Sequence, residues 1–134
     1  VKDVDFGNGY IVVQFGKGGK HRRVPLPQRY RGKLEAHLAQ VRTQYEEDVA
    51  EGFGEVYVPE ALLRKRPKLS LEWGWHYVFP AARISTDPRS GRHMRHHIHE
   101  NGLQKSIRTA ARKVGIAKQV NCHALRHCFA THLL

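Results

Sequence analysis

Two glycine-rich turns divide the first 27 residues into three short stretches of strand-forming residues. The first turn, Gly7-Asn8-Gly9, separates Val4-Asp-Phe6 from Tyr10-Ile-Val-Val-Gln-Phe15. Glycine supplies the positive φ angles that a tight hairpin turn requires. Residues 1–27 are therefore predicted to form a three-stranded antiparallel sheet, and with the helical patterns that follow they place the chain in the α+β class.

The second turn, Gly16-Lys-Gly-Gly-Lys20, is followed by a stretch in which Pro25 predicts an edge strand or a strand end. Lys17 and Lys20 lie at this turn, with Arg22 on the strand behind it. A lysine at a hairpin tip can contact a DNA phosphate or donate a proton to it. A solvated turn without a partner is the alternative.

Three helices are predicted in the segment that follows the sheet. The longest covers residues 28–51, and its apolar stripe consists of Leu34, Leu38, Val41, Tyr45 and Val49. A short helix is predicted over residues 59–66, with Pro59 at its start and Pro67 just beyond its end. A third covers residues 103–114 and is closed by Gly115.

A fourth helix is predicted over residues 121–134, where Leu125, Phe129 and Leu133 recur every four residues. His123 and Arg126 fall on another face, one turn apart, and Asn121 can cap the helix start. A helix N-terminus with an imidazole and a guanidinium beside it suits a phosphate group. A surface histidine next to a solvated arginine is the alternative.

Charge is abundant and unevenly distributed along the chain. Lys plus Arg exceed Asp plus Glu by 23 to 12, a net charge of +11. Residues 43–60 hold six acids and no Lys or Arg, whereas residues 89–118 hold eight bases and one acid. We expect the basic segment and the Lys17 hairpin to face nucleic acid, away from the acidic segment. A solvated basic face without a partner is the alternative.

Two clusters of aromatic and histidine residues lie between these helices. Trp73 and Trp75 form either a local core or a platform on which an unpaired base stacks. His96 and His97 belong to a histidine-rich stretch, residues 92–99, that is predicted to follow a hairpin turn at residues 87–91. Its arginines would repel a cation and it lacks zinc-finger spacing, so we predict contact with DNA and no metal.

A chain of 134 residues fits one domain that needs no disulfides. Cys122 and Cys128 point about 120° apart on a helix, so they are not expected to bridge each other. Two such cysteines suit a reducing compartment. Without an apolar run of about 20 residues or a signal peptide, the sequence predicts a soluble cytoplasmic protein.

In combination these motifs resemble the catalytic domain of the tyrosine recombinases of the phage integrase family. The resemblance rests on Gly16-Lys-Gly-Gly-Lys-x-Arg-x-Val-Pro-Leu26 and, about a hundred residues later, His123-Ala-Leu-Arg-His-x-Phe-Ala-Thr131. The middle of the chain is similar to the integron integrases, in Glu60-Ala-Leu-x-Arg-Lys-x-Pro67, Trp73-Gly-Trp75 and Ser85-Thr-Asp-Pro-Arg-Ser-Gly91. Those enzymes carry an extra insertion, which would here cover roughly residues 55–80.

The resemblance implies a mainly helical domain that exchanges DNA strands at specific sites without metal, ATP or another cofactor. A tyrosine attacks a phosphodiester and forms a 3′-phosphotyrosyl ester. By position, Lys17 matches the lysine that protonates the leaving 5′ oxygen, and His123 and Arg126 match residues that neutralise the phosphate. Lys20 is the second candidate for the lysine. Relatives are expected to assemble as tetramers on DNA in the bacterial cytoplasm, at the nucleoid.

The resemblance also implies residues contacting duplex DNA or a folded single-stranded hairpin. The residues assigned to this contact are Lys20, Arg22, Trp73, Trp75, Arg92, Arg95, His96, His97, Lys105 and Arg108. In the family a further arginine precedes the first strand, and the tyrosine nucleophile follows the His-x-x-Arg helix. All five tyrosines of this chain precede His123. We therefore expect part of a catalytic domain, 1–134, that is inactive alone; a non-catalytic DNA-binding module or a metal-binding regulatory protein are the alternatives.

Overall fold

The computed structural model describes residues 1–132, except for the side chain of Lys17. The chain divides into two compact units, Val1–His97 and Ile98–Leu134. Within the described residues there are four α-helices, a three-stranded antiparallel sheet and a two-stranded antiparallel sheet. The predicted α+β class is confirmed.

The three-stranded sheet is built as the glycine pattern predicts. Its strands are β1 (Val4–Asp5), β2 (Tyr10–Val13) and β3 (Arg22–Pro25), in the order β1-β2-β3. Gly9 has a φ of 70°, a left-handed conformation that glycine adopts without steric cost and that turns the chain between β1 and β2. The predicted meander over residues 1–27 is therefore confirmed, with β3 at an edge.

The second strand is shorter than the sequence predicts. It ends at Val13, and Phe15 adopts a φ of 48°, unusual for a residue with a bulky side chain. The Phe15 side chain is 79 % exposed, with its ring edge against His21. A short 3₁₀ turn, Lys17–Gly19, then carries the chain into β3. The glycine-rich run thus bends the chain before the apolar pattern of β2 is complete.

The longest helix, α1 (Gln28–Ala50), matches its prediction closely. Leu38 and Val41 of the predicted stripe are buried. At the C-terminal end of α1 the predicted apolar stripe is not the buried face, because Val49 is 42 % exposed whereas Asp48 is buried. The reason is an ion pair between Asp48 and Arg95, a long-range contact that apolar periodicity cannot indicate.

Helix α2 (Glu60–Lys65) begins directly after Pro59, as predicted. Two 3₁₀ turns follow, Leu69–Leu71 and Trp73–Trp75. Around them lies a small hydrophobic core made of Val56, Val58 and Leu69, with Leu63, Trp75 and Tyr77 packed against it. This core holds the tryptophan-rich segment in place.

The predicted hairpin around residues 87–91 is present as β4 (Ser85–Thr86) and β5 (His93–Met94). Asp87 is buried in the turn, where its Oδ2 accepts hydrogen bonds from the Ser90 backbone N–H at 3.0 Å and from Ser90 Oγ at 2.6 Å. These bonds hold the pKa of Asp87 below its usual value. An ionised aspartate therefore fixes the turn.

The second unit contains α3 (Glu100–Lys113) and α4 (Cys122–His132). Gly115 follows α3 with a φ of 73°, the left-handed conformation predicted for its C-terminal end. On α4, Leu125 and Phe129 are 49 % and 48 % exposed, so the predicted stripe is formed but not buried. Leu133, its third member, lies outside the described residues.

None of the helices described in residues 1–132 combines the length and apolar character needed to cross a bilayer. Cys122 and Cys128 are both free thiols.

Candidate nucleic-acid interface

The start of α4 is capped as the sequence predicts. Asn121 Oδ1 accepts a hydrogen bond from the Ala124 N–H at 2.7 Å. The Cys122 N–H donates to Gln104 Oε1 of α3 at 3.3 Å. Two backbone donors of the first turn therefore already have protein partners, so an anion at this end of α4 has to be held largely by side chains.

His123 and Arg126 are both exposed on this first stretch of α4. The sequence analysis missed His127, whose Nε2 lies 2.8 Å from Nε2 of His123. The two rings are perpendicular, with centroids 4.3 Å apart. The signal was present in the sequence, because residues four apart on a helix are neighbours on its surface. An imidazole pair and a guanidinium thus share one stretch of α4.

A basic cavity of about 490 Å³ lies between the end of α3 and the start of α4. Arg108, Arg112 and Lys118 line it, and Asn121 contributes to its wall. The exposed Lys105 lies on α3 as well. Lys105 and Arg108 were predicted individually as DNA contacts, and Arg112 and Lys118 belong to the basic segment 89–118 that was expected to face nucleic acid. Six Lys and Arg residues against one acid, Glu100, give residues 98–134 their positive charge.

The hairpin between β2 and β3 carries the other predicted phosphate contacts. Lys20 and Arg22 are exposed, and the Lys20 backbone oxygen accepts a hydrogen bond from the Gly16 N–H at 3.0 Å. Lys17 begins the 3₁₀ turn, and its side chain lies outside the described residues. The hairpin presents cations at its exposed end.

Arg92 and Arg95 contact the acidic segment instead of lying apart from it. Arg92 Nη1 lies 2.5 Å from Glu55 Oε2. Arg95 donates from Nε and Nη2 to the two oxygens of Asp48, at 2.6 and 2.7 Å, and from Nη1 to the Ala81 carbonyl at 2.9 Å. For these two arginines the expectation that the basic segment faces away from residues 43–60 is wrong. The charges that are segregated along the chain are therefore partly paired in the fold, through Arg92 with Glu55 and Arg95 with Asp48.

The two tryptophans are both half-buried but have different neighbours. Trp75 packs against the hydrophobic core, and the Lys2 ammonium lies 4.8 Å from its ring centroid. Trp73 packs against Tyr45, at a centroid distance of 5.3 Å, and the Arg42 guanidinium covers it at 5.0 Å. Trp75 therefore has the contacts of a core residue, whereas Trp73 stacks beneath a surface cation.

His76, His96 and His97 differ in their exposure. Burial lowers the pKa of His76 to about 4, so this imidazole is neutral at physiological pH. His96 is half-buried, and its buried Nε2 has no hydrogen-bond partner among the described residues. His97 is exposed and packs edge-on against Tyr77 at a centroid distance of 5.2 Å. Across residues 1–132, no three His, Cys, Asp or Glu side chains are grouped so as to hold a metal ion.

Comparison with known proteins accounts for this combination of elements. All residues, 1–134, match the phage integrase family. The chain is 42 % identical over its full length to proteins described as "Integrase/recombinase" from Escherichia coli and Pseudomonas aeruginosa, and covers 40 % of each. It is 31 % identical over its full length to "Tyrosine recombinase XerD" of Mycobacterium leprae, covering 32 % of it.

The chain thus spans about two fifths or less of the length of these curated relatives. The match includes the hairpin lysines, the tryptophan-rich segment and the His-x-x-Arg helix, because it runs from the first residue to the last. The chain belongs to the phage integrase family.

Proposed function

We propose that this chain is part of a site-specific DNA recombinase of the integron integrase type, which cleaves and rejoins strands through a phosphotyrosine intermediate. The observation that carries the proposal is the exposed His123 and Arg126 on the capped start of α4, in a chain that matches the phage integrase family throughout. The proposed partners are recombination sites in duplex DNA or in a folded single-stranded hairpin. Assembly as a tetramer in the bacterial cytoplasm belongs to the same proposal.

In the proposed reaction the tyrosine hydroxyl loses its proton, its oxygen forms a bond to phosphorus, and the bond from phosphorus to the 5′ oxygen breaks; the proton that the tyrosine loses balances the one that the leaving oxygen gains. The Arg126 guanidinium and the His123 imidazole donate hydrogen bonds to the non-bridging oxygens, where negative charge grows in the transition state. Lys17 gives its proton to the departing 5′ oxygen. Strand rejoining reverses these steps, so no external energy source is required.

The nucleophile is proposed to come from outside these 134 residues. Tyr45 donates its hydroxyl hydrogen bond to the Leu71 carbonyl at 2.7 Å, so this hydroxyl already has a backbone partner. Burial raises the pKa of Tyr77, which makes its phenolate harder to form. Neither tyrosine is suited to attack a phosphodiester.

The first test is incubation of this chain with a suicide DNA substrate, followed by a denaturing gel. We expect no covalent protein–DNA band from the 134-residue chain alone. A chimera in which the chain replaces the matching 40 % of the Escherichia coli relative is expected to give one. A band from the chain alone would contradict the assignment of the nucleophile. An inactive chimera that still binds DNA would favour a non-catalytic DNA-binding module.

We further propose that the basic cavity between α3 and α4 binds DNA phosphates. Each neutralised phosphate releases counterions, so the logarithm of affinity should fall by about 0.9 per phosphate for each logarithm of salt concentration. Arg112→Gln should reduce that slope by about 1 in a fluorescence titration with duplex DNA. Arg64→Gln is the matched control, because Arg64 is exposed but lies 3.6 Å from Glu60. A wild-type affinity that does not change with salt would contradict the proposal.

The integron-type insertion, roughly residues 55–80, is proposed to meet bases displaced from a folded single strand through Trp73. Trp73→Ala should weaken binding to a single-stranded hairpin by about 1 to 3 kcal/mol, the contribution of one stacked base. Trp73→Phe should retain most of the affinity because it keeps an aromatic face. Trp75→Ala should instead lower the free energy of unfolding by about 2 to 4 kcal/mol, because Trp75 packs on the core.

Hairpin titrations and thermal unfolding of all three variants separate these roles. If Trp73→Ala lowered stability and left hairpin binding unchanged, Trp73 would be a core residue as well.

A further inference from the structure

Two exposed histidines converge on one point of the α4 surface. The Nε2 atoms of His123 and His127 lie 2.8 Å apart, and their ring planes are perpendicular. At this distance the two nitrogens share a hydrogen bond, in which one ring donates its N–H and the other offers a lone pair. A cation that accepts two lone pairs can replace the shared proton.

The separation is close to that of two imidazole nitrogens bound to one metal ion. Imidazole nitrogens bind divalent transition metals at about 2.0 Å, and two such bonds at a right angle place the nitrogens about 2.8 Å apart. A tetrahedral angle would place them about 3.3 Å apart. Both spacings are within reach of the pair once the rings rotate, and the general order of affinity of divalent metals for nitrogen ligands favours Cu²⁺ and Ni²⁺.

We propose that His123 and His127 form a two-histidine chelate for Cu²⁺ or Ni²⁺, with water completing the coordination. Both rings are exposed, so each can rotate to direct its lone pair at the ion without unpacking a core. Arg126 lies on the same stretch of helix and adds a positive charge that opposes the metal. The order of affinity is Cu²⁺ above Ni²⁺ above Zn²⁺, and the site binds less tightly than one with three protein ligands.

The histidine-rich stretch before α3 offers a weaker competitor. His93 Nδ1 lies 3.2 Å from Thr86 Oγ1, and His96 is half-buried. These contacts restrict the rotation that a chelate requires. The pair on α4 should therefore bind the first equivalent of Cu²⁺.

Metal binding has a consequence for DNA cleavage that, unlike the binding itself, rests on the proposed function. Bound Cu²⁺ takes the lone pair of His123 Nε2 and holds the ring in the chelate, so the imidazole is no longer free to donate a hydrogen bond to the phosphate. The chimera with the Escherichia coli relative should then lose cleavage in Cu²⁺ and recover it with EDTA. If Cu²⁺ binds the pair and cleavage persists, the metal site is confirmed and the proposed role of His123 in the reaction is wrong.

The direct test is calorimetric titration of the 134-residue chain with CuCl₂, using glycine as a competing ligand. His123→Gln and His127→Gln should each weaken the tightest site at least about tenfold, because a chelate then loses one of its two bonds. His132→Gln, an exposed histidine on the same helix, should change the affinity by less than about twofold. Glutamine favours helix, and circular dichroism checks that α4 remains folded.

Paramagnetic broadening in amide NMR spectra locates the ion independently of the variants. With substoichiometric Cu²⁺ the broadened signals should centre on residues 123–127. Broadening centred on residues 93–99, or an affinity that neither substitution at the pair reduces, overturns the proposal.

Discussion

Arg126→Lys is expected to reduce DNA cleavage by about 10² to 10³-fold, the loss seen when one preorganised donor is removed from a charged transition state. The variant is made in the chimera that joins this chain to the Escherichia coli relative. Lysine keeps the positive charge but cannot make the two parallel hydrogen bonds that a guanidinium makes to phosphate oxygens. A large loss of cleavage would therefore show that the reaction depends on the geometry of the guanidinium and not only on its positive charge.

The measurement is the single-turnover rate of covalent complex formation on a suicide substrate. Arg112→Lys, at an exposed position in the basic cavity, is the control and should lower cleavage by less than about threefold if DNA is saturating. DNA affinity of both variants is measured separately, so that weak binding is not mistaken for slow chemistry. Cleavage within threefold of wild type in Arg126→Lys would remove Arg126 from the proposed site.

The second large effect concerns stability. Asp48→Ala is expected to lower the free energy of unfolding by about 3 to 5 kcal/mol, because it leaves the Arg95 guanidinium largely buried without its counter-charge. The side chains of this pair are 15 % and 10 % exposed. A guanidinium stays protonated even without a carboxylate partner, so in the variant Arg95 cannot escape this cost by losing its proton. Urea unfolding followed by tryptophan fluorescence gives the measurement.

A second ion pair on α1 provides the control. Arg42 and Glu46 are 2.8 Å apart but exposed, so Glu46→Ala should cost less than about 1 kcal/mol. Replacing both buried partners, as Asp48→Leu with Arg95→Met, should recover most of the stability, because no buried charge remains. Equal losses from Asp48→Ala and Glu46→Ala would show that the Asp48 pair contributes no more than a surface contact.

Local patterns were enough to predict the order and type of the elements. Helix α1 ends close to where its apolar spacing stops, α2 starts after its proline, and Gly9 and Gly115 have the positive φ angles their turns require. Each of these features depends on residues a few positions apart. The end of β2 could not be predicted in this way. Phe15 is a strand-forming residue, yet the chain already bends there, before the glycine-rich turn.

The site was harder to predict because it depends on distant contacts. Arg95 was assigned to DNA from its basic neighbours, yet it pairs with Asp48, 47 residues away. The Arg42 guanidinium covers the Trp73 ring, and the sequence around neither residue indicates this contact. His127 is the exception, since its spacing from His123 was visible. Contacts between residues four apart on one helix can be predicted from the sequence. Ion pairs between distant elements can be identified only once the fold is known.

The Asp48–Arg95 pair also sets an order of events during synthesis of the chain. Asp48 leaves the ribosome 47 residues before Arg95, which at about 5 to 20 residues per second is an interval of about 2 to 9 s. Throughout that interval the carboxylate has no partner that would let it enter the interior. The C-terminal turn of α1 must therefore stay hydrated until Arg95 has been made, and only then can Val1–His97 close around it.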